Sequence, residues 1–199
     1  MSFHGRAREI IDREVEALRH MATCLDSSFD EACQQVLDTK GRVIVSGVGK
    51  SGIIGRKIAA TLASTGTPAF FLHAAEALHG DLGMVTPDDL VILITHSGET
   101  AEVLHVASHL SEMKIPLIII TGRPDSSIGL KCISQLITGV SQEADSLGLA
   151  PSCSTTASLV LGDALALCVS EARGFGRVDF ARCHPGGNLG QMLAKDKER

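Results

Sequence analysis

The chain has 199 residues, 44% hydrophobic and 21% charged, which fits one domain with a real core and excludes a disordered chain. Its formal net charge of −5, with no run of Lys and Arg, makes nucleic acid a poor partner. Six cysteines without C-x-x-C spacing point to reduced thiols, and six Phe with no Trp or Tyr leave the core to aliphatic side chains, as in a buried parallel sheet.

In chain order, the opening MSFHGRAREI runs directly into a charged amphipathic segment and lacks the apolar stretch of a signal peptide, so a cytoplasmic protein is expected. Apolar residues at helical spacing (Ile10, Ile11, Val15, Leu18, Met21, Leu25) predict a long helix from about residue 6 and a second from about residue 28. Together they form an N-terminal helical arm over 1–40, of a kind that packs against another subunit, ahead of the body of the chain at 41–199. There the pattern predicts strand 42–46, helix 51–65, strand 68–72, a short helix at 74–79 and strand 90–95. Helix 99–113, strand 116–121, a helical turn near 126–131, strand 134–138 and helix 154–173 follow. This alternation predicts an α/β fold, a doubly wound three-layer αβα sandwich around a five-stranded parallel sheet, with ligands beyond the carboxyl ends of the strands. The apolar runs LVILIT and IPLIII are strand-length, too short to cross a bilayer, and no membrane partner is expected.

Between the first strand and its helix stands VIVSGVGKSGIIG. Gly47, Gly49 and Gly52 satisfy G-x-G-x-x-G, but a dinucleotide site also wants an acidic residue at the end of the next strand, where PAFFLH ends in Leu72 and His73. The P-loop pattern ending at Gly49-Lys50-Ser51 would need glycine where Ile44 stands. Both nucleotide readings fail their second test. The turn is left to a small phosphorylated ligand, with Gly49, Lys50 and Ser51 at its edge.

Three later loops carry chemistry. THSGETAE, at 95–102, sets Ser97, Gly98 and Thr100 at a helix start, where they could receive a phosphate or simply cap the helix. GLAPSCSTTA tips the balance toward phosphate, since Ser152, Ser154, Thr155, Thr156 and Ser158 are more hydroxyls than one cap needs. Glu143 stands in SQEADS after the fifth strand. His184 lies in a turn set by Pro185, Gly186 and Gly187, and as a histidine it can move protons near neutrality. His79 occupies the HGDLG turn. His105 and His109, four apart, read as a solvent-facing helix pair, since no third metal ligand is near in sequence.

With these loops in view the sequence closely resembles the sugar isomerase (SIS) domain of bacterial arabinose-5-phosphate isomerases. The resemblance is carried by GVGKSGIIGRKIAATLASTGTPAFFLHAAEALHGDLGMVTPDD, SGETAE, ITGRPDSSI, GLAPSCSTTASLVLGDALA and GFGRVDFARCHPGGNLG, covering most of residues 40–192. It implies interconversion of D-ribulose 5-phosphate and D-arabinose 5-phosphate, the entry step to the sugar Kdo of lipopolysaccharide or capsule. It also implies that Lys50, Glu102, Glu143 and His184 are the catalytic set. Gly66, Thr67, His73 and His79 would lie at or near the substrate, and His79 is also a position where zinc can bind in relatives. No cofactor is required, and a homotetramer with sites at subunit interfaces is implied. Members usually continue into tandem CBS domains, whereas this chain stops at Arg199, so a short form without that module is expected. Gln142 and Asp145-Ser146 depart from the lysine and Cys-Pro often seen around the family glutamate, which bears on fine specificity.

Such an isomerisation passes through a cis-enediol. Glu143 or Glu102 could serve as carbon base, His184 could open the ring or shuttle the oxygen proton, and Lys50 would stabilise the negative charge or hold the sugar. A non-catalytic phosphosugar sensor built on the same domain would not need the two glutamates and His184 together. An SIS isomerase of another sugar phosphate would lack the GLAPSCSTT and HPGGNLG pair.

Overall fold

The computed structural model describes residues 2–186, so Gly187 of the last turn lies outside the described residues. Five strands form one sheet: β1 (Val43–Gly47), β2 (Ala69–His73), β3 (Leu90–Thr95), β4 (Leu117–Thr121) and β5 (Ser134–Ile137). All pairings are parallel, in the order β2-β1-β3-β4-β5. The runs VIVSG, LVILIT and LIIIT are buried at every residue, because a central parallel strand is covered on both faces and has no water-facing side to record in polar residues.

Side chains alternate between two cores. Val43, Val45, Ile92, Ile94, Ile118 and Ile120 pack with α3 (Gly49–Ser64) and α6 (Cys153–Ala172), beneath α1 (Phe3–Thr23) and α2 (Ser27–Asp38). Ile44, Val91, Leu93, Leu117 and Ile119 face α4 (Ala74–Ala77) and α5 (Ala101–Glu112). The expected three-layer α/β sandwich is the observed one. Met21, Ala32 and Val36 bind α1 and α2 to the chain's own α6, so the arm completes its own subunit's core. By length and composition α6 is apolar enough to cross a membrane, but 56% of that stretch is buried inside the protein and it serves as the core helix.

The glycine motif has a packing explanation. A Cβ on Gly52 would stand 3.0 Å from the Gly47 carbonyl, and one on Gly55 would stand 3.0 Å from the Phe71 ring. These glycines let α3 settle directly onto β1 and β2. Two elements were not foreseen, a 3-10 turn at Asp81–Met84 and α7 (Arg177–Cys183). Neither contains a fully buried residue, so neither leaves an apolar periodicity in the sequence. All six cysteines are free, and burial, with Cys168 nearby, pushes the Cys33 thiol up to about 11.

Candidate active site

The chain leaves β1 for β2 on one side and returns to β3 on the other, which puts the topological switch point between β1 and β3. Beyond the carboxyl ends there opens a cleft of about 400 Å³, lined by Lys50, Ser51, His96, Arg123, Gln142, Glu143, Ser154 and Thr155 among others. Its floor on the β1 side is the start of α3. The residue preceding that helix is Val48, whose side chain offers no acceptor, so the first-turn N–H groups remain available to a ligand's oxygens.

The cleft lining also includes Glu143, 8% exposed. Its Oε2 accepts from the Ser152 amide at 2.8 Å, the Ser152 hydroxyl at 3.1 Å and the Ser154 amide at 3.2 Å, and its Oε1 accepts from the Ser154 hydroxyl. Burial alone would raise this carboxyl, but the four donors outweigh it and hold it below the ordinary glutamate range. Glu143 therefore anchors the N-terminus of α6 from the loop that leads into it, and it is ionised at neutral pH. Asp145 organises the rest of that loop by accepting the amides of Leu147, Leu149 and Ala150 at 2.9–3.0 Å.

The turn after β3 is tied internally. Thr95 Oγ1 accepts the Gly98 amide at 3.3 Å and lies 3.1 Å from Thr100 Oγ1, while Ser97 Oγ accepts the Glu99 amide at 3.2 Å. Ser97, Gly98 and Thr100 follow the cleft residue His96 in the chain but do not themselves line the cleft, and Gly98 holds the turn with φ +70°.

The cleft thus gathers Lys50, Ser51, Glu143, Ser154 and Thr155 from the residues singled out in the sequence, with Gly49 adjoining. Others lie elsewhere in the chain. Glu102 is exposed on the first turn of α5, and His73, at the end of β2, accepts the Ala75 amide at 3.3 Å and starts α4. Gly66 and Thr67 precede β2, at the amino edge of the sheet, and Gly66 adjoins Phe175, Asp179 and Cys183 around α7. His184 belongs to this far pole, stacked on Phe180 at 3.9 Å with Nδ1 2.9 Å from the Phe180 carbonyl oxygen. The cleft sits at the start of α6 and α7 beyond its end, and 20 helical residues span roughly 30 Å. A single chain therefore does not bring Lys50, Glu143 and His184 together.

His79 is exposed after α4, and among the described residues no three His, Cys, Asp or Glu side chains gather where they could hold a metal ion. His105 and His109 are exposed, as expected of a solvent-facing pair. Among the cleft residues that escaped the sequence reading, two carry titratable side chains, His96 and Arg123. Each follows a fully buried strand by one or two positions, and that placement is the signal that would have found them.

The fold and cleft define a doubly wound parallel α/β protein with its ligand crevice at the switch point. Residues 36–168 match the SIS domain model, and the chain belongs to that family. It is 51% identical to the arabinose 5-phosphate isomerase KdsD of Escherichia coli K12 over 191 residues, 96% of this chain and 58% of that protein. It is 49% identical to the Pseudomonas aeruginosa PAO1 protein of the same name over 193 residues, 97% of this chain and 59% of that one. The chain thus spans less than two thirds of the length of these curated relatives. An E. coli CFT073 protein solved in complex with arabinose 5-phosphate is 46% identical, with TM-score 0.89, covering 93% of this chain and 100% of that one.

Proposed function

We propose that the chain is an aldose–ketose isomerase that interconverts D-arabinose 5-phosphate and D-ribulose 5-phosphate through a cis-enediol, in the cytoplasm, for Kdo synthesis. The observation that carries this reading is a cleft whose lining combines groups that can receive an anion with an ionised, buried carboxylate. Lys50, Ser51, Arg123 and the open start of α3 can hold a phosphate, and Glu143 supplies the carboxylate. A phosphorylated sugar fits that combination, with its phosphate on the cations and its C1–C2 end toward Glu143. The similarity to a protein holding arabinose 5-phosphate supports the same choice.

Glu143 is the carboxylate the cleft itself provides, in the form a base must start from. Closure of the cleft on substrate removes water and raises its affinity for a proton. Lys50 holds the sugar by its phosphate. Glu102 and His184 would complete the set from neighbouring chains, which fits a homotetramer with shared sites.

The test is an NMR time course with D-ribulose 5-phosphate in heavy water. Arabinose 5-phosphate carrying deuterium at carbon 2 is the expected product. Binding without turnover would replace this reading with that of a phosphosugar sensor or an isomerase of another sugar phosphate.

A further inference from the structure

The enediol scheme leaves one titratable group of the cleft unused. His96 immediately follows β3, on the strand bordering β1, and shares the cleft with Lys50 and Ser51. Its ring has a seat made by a glycine. The Gly122 amide donates to the His96 carbonyl at 3.0 Å, and a Cβ on Gly122 would stand 2.5 Å from the ring's Nδ1 and Cε1. Any other residue at 122 would displace the imidazole. The charged side chains sharing its cleft come from three elements: Lys50 from α3, Arg123 from the loop after β4 and Glu143 from the loop after β5.

We propose that His96 is a proton-linked receptor for the substrate's phosphate, binding it as imidazolium beside Arg123 and so making affinity depend on pH. This rests on reading the cleft as a sugar-phosphate site. In the ligand-free cleft, burial pushes the imidazole below its ordinary range, Glu143 pulls it up, and Arg123 pushes it down again. The neutral ring therefore predominates at neutral pH. A phosphate dianion among Lys50, Arg123 and His96 adds two negative charges and reverses the balance, so the ring takes up a proton as the ligand binds. Affinity then strengthens as pH falls from 8 toward 7, until the phosphate itself begins to protonate near about pH 6. Glu143, with its carboxylate already holding four donors, is poorly placed to cancel this response.

The experiment is titration calorimetry of the whole protein with D-arabinose 5-phosphate, at pH 7 to 8.5, in two buffers of different ionisation heat. Wild type is compared with His96→Asn and with His96→Gln, each checked for folding by circular dichroism. The ligand's own titration cancels in the comparison. Wild type is expected to take up roughly 0.3 to 0.8 more protons per site than either variant at pH 7. Its affinity should exceed theirs by about five- to twentyfold at pH 7, the curves converging by pH 8.5. In steady-state assays the variants should lose more in KM than in kcat. Equal proton uptake in wild type and both variants, with the ligand bound, would overturn the role of His96 and leave the isomerase reading standing. No binding by wild type would overturn both.

Discussion

Replacing Glu143 tests whether that carboxylate builds the cleft as well as working in it. Glu143→Ala removes an acceptor from the amides of Ser152 and Ser154 at the buried start of α6, and from two hydroxyls that can turn to other partners. Two stranded amides at about 1–3 kcal/mol each predict a loss of roughly 2–6 kcal/mol. Glu143→Gln keeps one acceptor oxygen for the three donors on the Oε2 side but loses their charge assistance, for a loss of about 1–2 kcal/mol. The measurement is equilibrium urea unfolding at fixed protein concentration. The sign of the pH effect follows from the lowered carboxyl. Its contribution is fully present above the unfolded-state value near 4.5 and is lost as pH falls through the lower folded-state value. The gap between wild type and Glu143→Gln should therefore be widest at neutral pH and close in acid. Glu143→Ala within about 0.5 kcal/mol of wild type at pH 7 would refute the capping argument.

Gly98→Ala places a side chain at φ +70° and drives its Cβ into Ser126. A cost of about 2–4 kcal/mol, read as a fall in Tm of roughly 5–15 °C, is expected, and no change would show that the turn relaxes freely. Asp89, 1% exposed, accepts the amides of Arg42 and Thr86 at 2.7 and 2.8 Å and pairs with the Arg42 guanidinium at 3.3 Å. Burial alone would raise its carboxyl, but these partners hold it below the usual aspartate range, so it stabilises the fold above about pH 4 and less below. Asp89→Asn should cost about 2–4 kcal/mol in urea unfolding at pH 7, with the difference shrinking as acid titrates the wild type. Ser51→Ala and Thr100→Ala should raise KM more than they lower kcat in the isomerase assay, and an unchanged KM in both would move the phosphate elsewhere.

The sheet was legible because parallel strands buried on both faces are uninterrupted aliphatic runs. The helices of the two outer layers were legible wherever one face is wet. What G-x-G-x-x-G means could not be read from spacing, since the same glycines that admit a pyrophosphate also admit a close helix, as Gly52 and Gly55 do against β1 and Phe71. Glu143 was legible as a polar residue in a strand-end loop, and the structure sets it in the cleft lining. Its four donors were not visible, because hydroxyl and amide partners nine to eleven residues ahead look like ordinary loop composition. His96 was hidden by its neighbours, Ser97 to Thr100, whose hydroxyls carried the stronger motif. The separation of His184 from Lys50 was beyond any linear reading. Chain order says that α6 lies between them, and only the sheet says that it runs from one pole to the other.

That polar separation has a genetic consequence. If the working site draws on the Lys50 pole of one chain and the His184 pole of another, two different defective alleles can correct each other. Co-expressed Lys50→Ala and His184→Ala chains would assemble some sites in which both residues are intact, although each homogeneous assembly has none. The same arithmetic would make a doubly substituted chain dominant over the wild type, because each copy would spoil one site with its front and a second with its back.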